Sequence, residues 1–124
     1  MSLQPLSYLE FDHSDDEEGH GSFDAMAAVD EPRLPALQAE IARVLAWAHA
    51  LFGAPAHLDE GGEWDCHLGG VREVSTPLAV RYDEAGATIE LRDAGTGSPR
   101  VTLTLTLTGT AAFCAAFSAA FAGA

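Results

Sequence analysis

Lysine is missing from this chain. All six basic residues are arginine, set against 19 Asp and Glu, and the formal net charge is −13. Binding to nucleic acid requires a cationic footprint for the phosphates, and none can be assembled here. Anionic membrane surfaces are excluded on the same ground. No apolar run approaches the ~20 residues needed to span a bilayer. The opening Met-Ser-Leu-Gln-Pro-Leu has neither the basic region nor the apolar core of a signal peptide. These absences lead to the expectation of a cytoplasmic protein. Residues 1–6 are expected to be disordered, with Met1-Ser2-Leu3 readable as a remnant of cloning.

Cysteine is scarce as well. Cys66 and Cys114 lie far apart with no metal-type spacing. They read as two buried free thiols, with a Cys66–Cys114 bridge as the alternative. Catalytic signatures are absent too. Gly19-His-Gly-Ser22 lacks the Gly-x-Ser-x-Gly spacing of a nucleophile elbow, and neither a Walker-type phosphate loop nor a His-Glu-x-x-His pair occurs. Gly95-Thr-Gly97 reads as a turn. The catalytic residues are therefore unknown, and the chain leans away from being an enzyme.

What remains is enough for a fold. At 124 residues and 48% hydrophobic, the chain reads as a single α+β domain, 1–124, able to bury a core without disulfides or a metal. Arginine without lysine and an excess of alanine suggest a GC-rich bacterial genome. The strongest pattern lies near the end. Val101, Leu103, Leu105 and Leu107 alternate with threonines in the two-residue period of a half-buried strand. After Gly109 the period changes, and Phe113, Phe117 and Phe121 recur every fourth residue on an alanine-rich helix.

The rest of the chain adds further elements. Ser7–His13 alternates as a strand, 14–22 is a solvated acidic loop, and 21–29 is read as a strand over a helix. Asp30-Glu31-Pro32 is a helix start, and the three-to-four spacing of Leu34, Leu37, Ile41, Val44, Leu45, Ala48 and Phe52 predicts a helix to Phe52, with Glu40 facing water. Trp47, at the edge of that stripe, is assigned to the core. Glu63–Leu68 is a strand, Gly69-Gly70 a bulge before Val71–Val74, and 78–83 with 87–92 a hairpin. The order ββαββββα with hairpin-type connections predicts a two-layer sandwich. One antiparallel sheet of about five to seven strands would carry two helices on one face.

Two constellations could carry function. Leu9, Phe11, Trp64, Cys66, Val80, Tyr82, Ile89 and Leu91 are expected to face the helices. The opposite, polar sheet face then carries Asp24, Glu63, Glu90, Arg92 and the threonines from Thr102 to Thr108, and offers Glu10, Asp12, Asp65, His67 and Arg81 as partner-binding residues. The acidic loop offers His13, Asp16 and His20 as metal ligands, although its spacing fits no EF-hand. The leading expectation is a small acidic interaction module acting through protein contacts, with partners carrying basic segments and with no cofactor. One alternative is a small metal-dependent or acid–base enzyme using the His13–His20 loop with a divalent metal, joined by His67 beside Asp65. Another is a structural subunit of a larger assembly. The strand 101–108 lacks the charges and prolines that protect an exposed edge, so it is expected inside the sheet or covered, or else, as an edge, paired with its own copy; a homodimer burying this strand or the polar sheet face is expected. No family motif can be laid on the chain. In composition alone it is similar to small acidic bacterial secretion chaperones, a likeness that says nothing of a site.

Overall fold

Alternation of apolar and polar residues decides which strands lie over the core. The structure, a computed structural model, describes residues 6–95 and 97–122. In β2 (Gly21–Asp30), Phe23, Ala25, Ala27 and Val29 are buried while Asp24, Met26 and Ala28 between them are exposed. In β6 (Pro99–Gly109), Val101, Leu105 and Leu107 are buried in the same rhythm. With β1 (Asp12–Asp15) and β3 (Trp64–Val74) they form an antiparallel sheet of order β1-β2-β6-β3. The last strand in sequence is thus central. Both of its edges are taken, by β2 and by β3, as expected for a strand without edge protection, so the alternative of self-pairing at a dimer axis does not apply to it.

Local chemistry starts and stops the helices. The Asp30 carboxylate accepts the N–H of Arg33 at 3.1 Å, opening a 3-10 turn, Glu31–Arg33, that runs into α1 (Leu34–Phe52). Gly53, with φ of 77°, closes α1 in a conformation that costs a residue with a Cβ. After β6, the Thr110 hydroxyl accepts the N–H of Phe113 at 3.3 Å and opens α2 (Ala111–Phe117), which widens into a π turn over Ser118–Ala122.

Both helices press on the same sheet face. Leu37, Val44, Ala48, Phe113 and Phe117 are fully buried against Phe23, Leu105, Leu107 and Trp64. Trp47 joins the two helices, its ring 6.0 Å from Phe113, 5.9 Å from Phe117 and 5.3 Å from Phe121. Each fully buried ring stabilises by roughly 1.5–3 kcal/mol, so this aromatic seam holds the helix layer down.

The order ββαββββα is observed, but the single sheet is not. β4 (Leu78–Asp83) and β5 (Thr88–Asp93) form a separate two-stranded sheet. β6 takes one edge of β3 from Trp64 to Val74, and β4 pairs with β5 rather than with the other edge. Pro77 then leads the chain away from the sheet. Val80, Tyr82, Ile89 and Leu91, expected under the helices, are instead 57 to 64% exposed. Arg81, on the opposite side of this hairpin, does not share the polar face of the main sheet.

Two further expectations are corrected. Gly69-Gly70 makes no bulge, because β3 pairs with β6 in unbroken register. The glycines instead let the strands and side chains approach: a Cβ on Gly69 would lie 2.8 Å from Thr104 Oγ1, and one on Gly70 2.8 Å from Leu103 Cδ2. Ser7 to Phe11 form no strand either. The N–H groups of Ser7, Tyr8 and Leu9 donate to the Glu40 carboxylate at 2.8, 2.9 and 2.8 Å. Glu40 is therefore buried rather than facing water. The expectation for residues 1–6 lies, apart from Leu6, outside the described residues. Both cysteines are free thiols. Among the described residues no helix is long and apolar enough to cross a membrane.

Candidate functional site

The strands present their second set of side chains away from the helices, and register lines these up in rows. Asp12, Asp24, Thr106 and His67 stand side by side across β1, β2, β6 and β3. Ser14, Ser22, Thr108 and Asp65 form the next row, toward the β1–β2 turn. The Thr106 hydroxyl donates to Asp24 Oδ1 at 2.7 Å. Asp65 Oδ2 lies 3.3 Å from His57 Nδ1, and Asp65 Oδ1 accepts the Cys66 N–H at 2.8 Å. The partner of Asp65 is thus a loop histidine and not His67. Farther along the face come Met26 beside Thr104, Ala28 and Val71 beside Thr102, and Arg100 between Asp30 and Glu73.

Of the residues proposed from sequence, this face gathers Asp12, Asp65 and His67. Glu10 is exposed just before β1. Arg81 lies on the β4–β5 hairpin, where its guanidinium donates to Glu90. Asp24 and Thr106 complete the face. Alternation places both on this face, but only the β2–β6 pairing shows that they touch.

The acidic turn has its own geometry. Asp16 Oδ1 accepts the N–H groups of Glu18 and His20, both at 2.9 Å, and the Asp16 N–H donates to the carbonyl of His20 at 2.8 Å. Gly19, with φ of 85°, makes the reversal. As a result Asp16, Glu18 and His20 hold potential ligand atoms within 4.8 Å of one another. The expected third ligand, His13, is elsewhere. Its ring stacks on Phe23 at 4.5 Å, and its Nε2 lies 2.9 Å from Asp15 Oδ1. Neighbouring positions on a strand point to opposite faces, so a histidine at 13 cannot join a carboxylate at 16 across the sheet. A hollow of about 140 Å³ opens beside the turn, bounded by Asp15, Asp16, His20, Thr108 and Leu58 among others.

Sequence reasoning missed one neighbourhood. A Cβ on Gly21 would fall 2.7 Å from Cys114 Sγ, 3.1 Å from Asp15 Oδ1 and 3.1 Å from His13 Nε2. Thiol, carboxylate and imidazole crowd the same glycine, though nothing in the sequence spacing links them. Their chemistry is quiet. Burial pushes the Cys114 thiol up; the Gly21 N–H opposes this, and the charges of Asp15 and Asp16 add to it. The Cys66 thiol is raised in the same way, by burial first and by Asp65 second. A nucleophilic cysteine needs a lowered pKa, and both thiols move in the opposite direction. Compared with protein-family models, curated proteins and solved structures, the chain matches none of them.

Proposed function

We propose that this protein is a non-enzymatic binding module that docks a basic protein segment on the outer face of its four-stranded sheet. One observation carries the reading. Asp12, Asp24 and Asp65 lie at one end of that face, beside the turn bearing Asp15, Asp16, Glu17 and Glu18, and the two rows there contain no arginine. A cationic segment laid across the strands would meet carboxylates at this end and threonine hydroxyls along β6. Such an arrangement favours fast, selective encounter with positive charge. His67 adds a second donor or acceptor at the β3 edge.

Calorimetric titration with an arginine-rich peptide at low and physiological salt tests it. Changing Asp24→Asn and Asp65→Asn together should weaken binding by about tenfold. The control is Glu84→Gln with Asp93→Asn, at exposed positions of the separate β4–β5 hairpin, which removes the same charge away from this face. Equal losses in both variants would mean that net charge alone attracts the peptide, and the reading would fail.

A second reading is supported by the mutual approach of Asp16, Glu18 and His20: a divalent cation held at the β1–β2 turn. Titration with zinc, manganese and calcium separates it from the first. Absence of both heat and thermal stabilisation at millimolar metal would remove it.

A further inference from the structure

The main sheet ends on one side in β3, which runs 11 residues, against 4 for β1 on the other side. The register of β3 with β6 fixes which way its backbone groups point. The Thr110 N–H donates to the Glu63 carbonyl at 3.0 Å, and bonded residues alternate along an antiparallel pair. Asp65, His67, Gly69, Val71 and Glu73 therefore bond to β6, while the N–H and C=O groups of Trp64, Cys66, Leu68, Gly70 and Arg72 point outward. Near the start of the strand some of these are taken. The Trp64 carbonyl accepts the Ala56 N–H at 3.0 Å, and the Cys66 N–H donates to Asp65 Oδ1 at 2.8 Å. Leu68, Gly70 and Arg72 are exposed, and their backbone groups have no partner among the described residues.

Proteins guard an open edge with proline, lysine, a bulge or a charge aimed along it. β3 contains neither proline nor lysine, and its register is unbroken. Arg72, the charge within the open stretch, is drawn to Glu31 at 2.7 Å. Glu31 directly follows β2, so this guanidinium is pulled back across β6 and away from the edge. The next strands in the chain, β4 and β5, pair with each other and leave the edge open.

We infer that an extended, basic segment of another protein adds to this edge as a fifth, antiparallel strand. The backbone selects a strand as occupant, because N–H and C=O groups presented at every second residue are met by another extended chain. Every pairing in the main sheet is antiparallel, and bonded partners in such a pair carry their side chains on the same face. Segment residues bonded to Leu68, Gly70 and Arg72 thus point to the helix side. A hollow of about 500 Å³ lies there, bounded by Ile41, Ala42, Leu45 and Leu68 among others, and takes apolar side chains. The intervening segment residues fall on the outer side, in line with Asp65, His67, Gly69, Val71 and Glu73. Arginine or lysine at those positions meets Glu73 at one end of the open stretch and Asp65 at the other. A net charge of −13 favours such a segment over a second copy of this chain. The inference rests on the docking reading for the partner's charge, and adds the strand that its backbone joins.

The probe is a short synthetic peptide alternating arginine and valine, titrated calorimetrically into the full chain. Two N-methylated forms have the same charge and composition. Methyl groups on the valine nitrogens, which face β3 in this register, should weaken binding about 30-fold or more. Methyl groups on the arginine nitrogens face solvent and should change it by about twofold at most. With the unmodified peptide bound, amide exchange at Leu68, Gly70 and Arg72 should slow. Binding that is indifferent to which nitrogens are methylated, or unchanged exchange at those three amides, overturns the added strand while face docking stands. Sensitivity to valine methylation without sensitivity to Asp24→Asn and Asp65→Asn supports the strand and removes face docking. No binding by any form overturns both. A peptide-free chain of twice the 13.0 kDa mass in light scattering, with those amides already protected, puts a second copy on the edge and overturns the foreign occupant.

Discussion

Glu40, in the middle of α1, accepts the backbone N–H of Leu9 at 2.8 Å through one carboxylate oxygen, and that of Ser7 at 2.8 Å through the other. Tyr8 donates to the first oxygen at 2.9 Å. A helix side chain therefore does for the N-terminal segment what a neighbouring strand would do. A charged acceptor with several donors is among the stronger polar arrangements in a fold.

Glu40→Ala should consequently destabilise the protein by about 3 kcal/mol, because the donors lose their acceptor and part of the segment stays buried. Glu40→Gln keeps one acceptor oxygen and should cost about half as much. Urea denaturation gives both numbers. Hydrogen exchange should locate the loosening at Ser7, Tyr8 and Leu9, and uniform loss of protection across the sheet would contradict this account.

Two glycines should respond differently to alanine. A Cβ on Gly109 would overlap the ring of Phe113 and lie 2.8 Å from its Cβ, in a region that is wholly buried. Gly109→Ala should cost about 2–3 kcal/mol. At Gly69 the obstacle is the Thr104 hydroxyl at 2.8 Å, which a rotamer change removes. Gly69→Ala should stay within ~1 kcal/mol of wild type. Thermal melts of the pair, run side by side, decide the point.

Trp64 ties β3 to the end of α1. Its indole N–H donates to the Gly53 carbonyl at 3.0 Å, and its ring stacks on Phe113 at 5.7 Å. Trp64→Phe keeps most of the stacking but removes the donor and some volume, so a loss of about 2 kcal/mol is expected. A Trp64→Phe variant as stable as wild type would show that the indole N–H contributes nothing.

The thiols set a pH dependence. Both cysteine pKa values are raised from the ordinary 9.0, so folding favours the neutral thiol. The contribution is fully present below pH 9 and is lost as pH rises through the folded-state values, because the unfolded chain ionises first. Stability should thus fall on the alkaline side, and changing both cysteines to alanine should flatten that limb. At neutral pH a thiol reagent should react slowly with native protein and fast in denaturant. Rapid reaction of Cys114 in the native state would contradict the burial argument.

Much of the fold was legible because period and capping act locally. Asp30 before Pro32, the apolar repeat ending at Phe52 and the alternation from Val101 to Leu107 each describe their own segment. What failed depended on partners distant in sequence. The apolar side of 78–91 looks like a core strand pair, since periodicity records an oily face and not what covers it. Glu40 looks like a surface residue until the N-terminal segment is placed above it. The acidic turn was visible as composition, but its grouping of Asp16 and His20 with Glu18, and not with His13, follows from strand faces and the Asp16 hydrogen bonds. Asp24 meets Thr106 only through a strand pairing that spans 82 positions.

That span governs the route by which the molecule is made. Every hydrogen bond at the centre of the main sheet joins β6 to a strand formed from much earlier sequence. β2 and β3 do not pair with each other, and the main sheet is continuous only once β6 is inserted between them. Closing such large loops precedes the contacts that reward it, which places folding toward the slow end, milliseconds to seconds, for domains of this size. During that interval the inner edges of β2 and β3 stand unpaired. The strand that completes the architecture is also the step that limits its assembly.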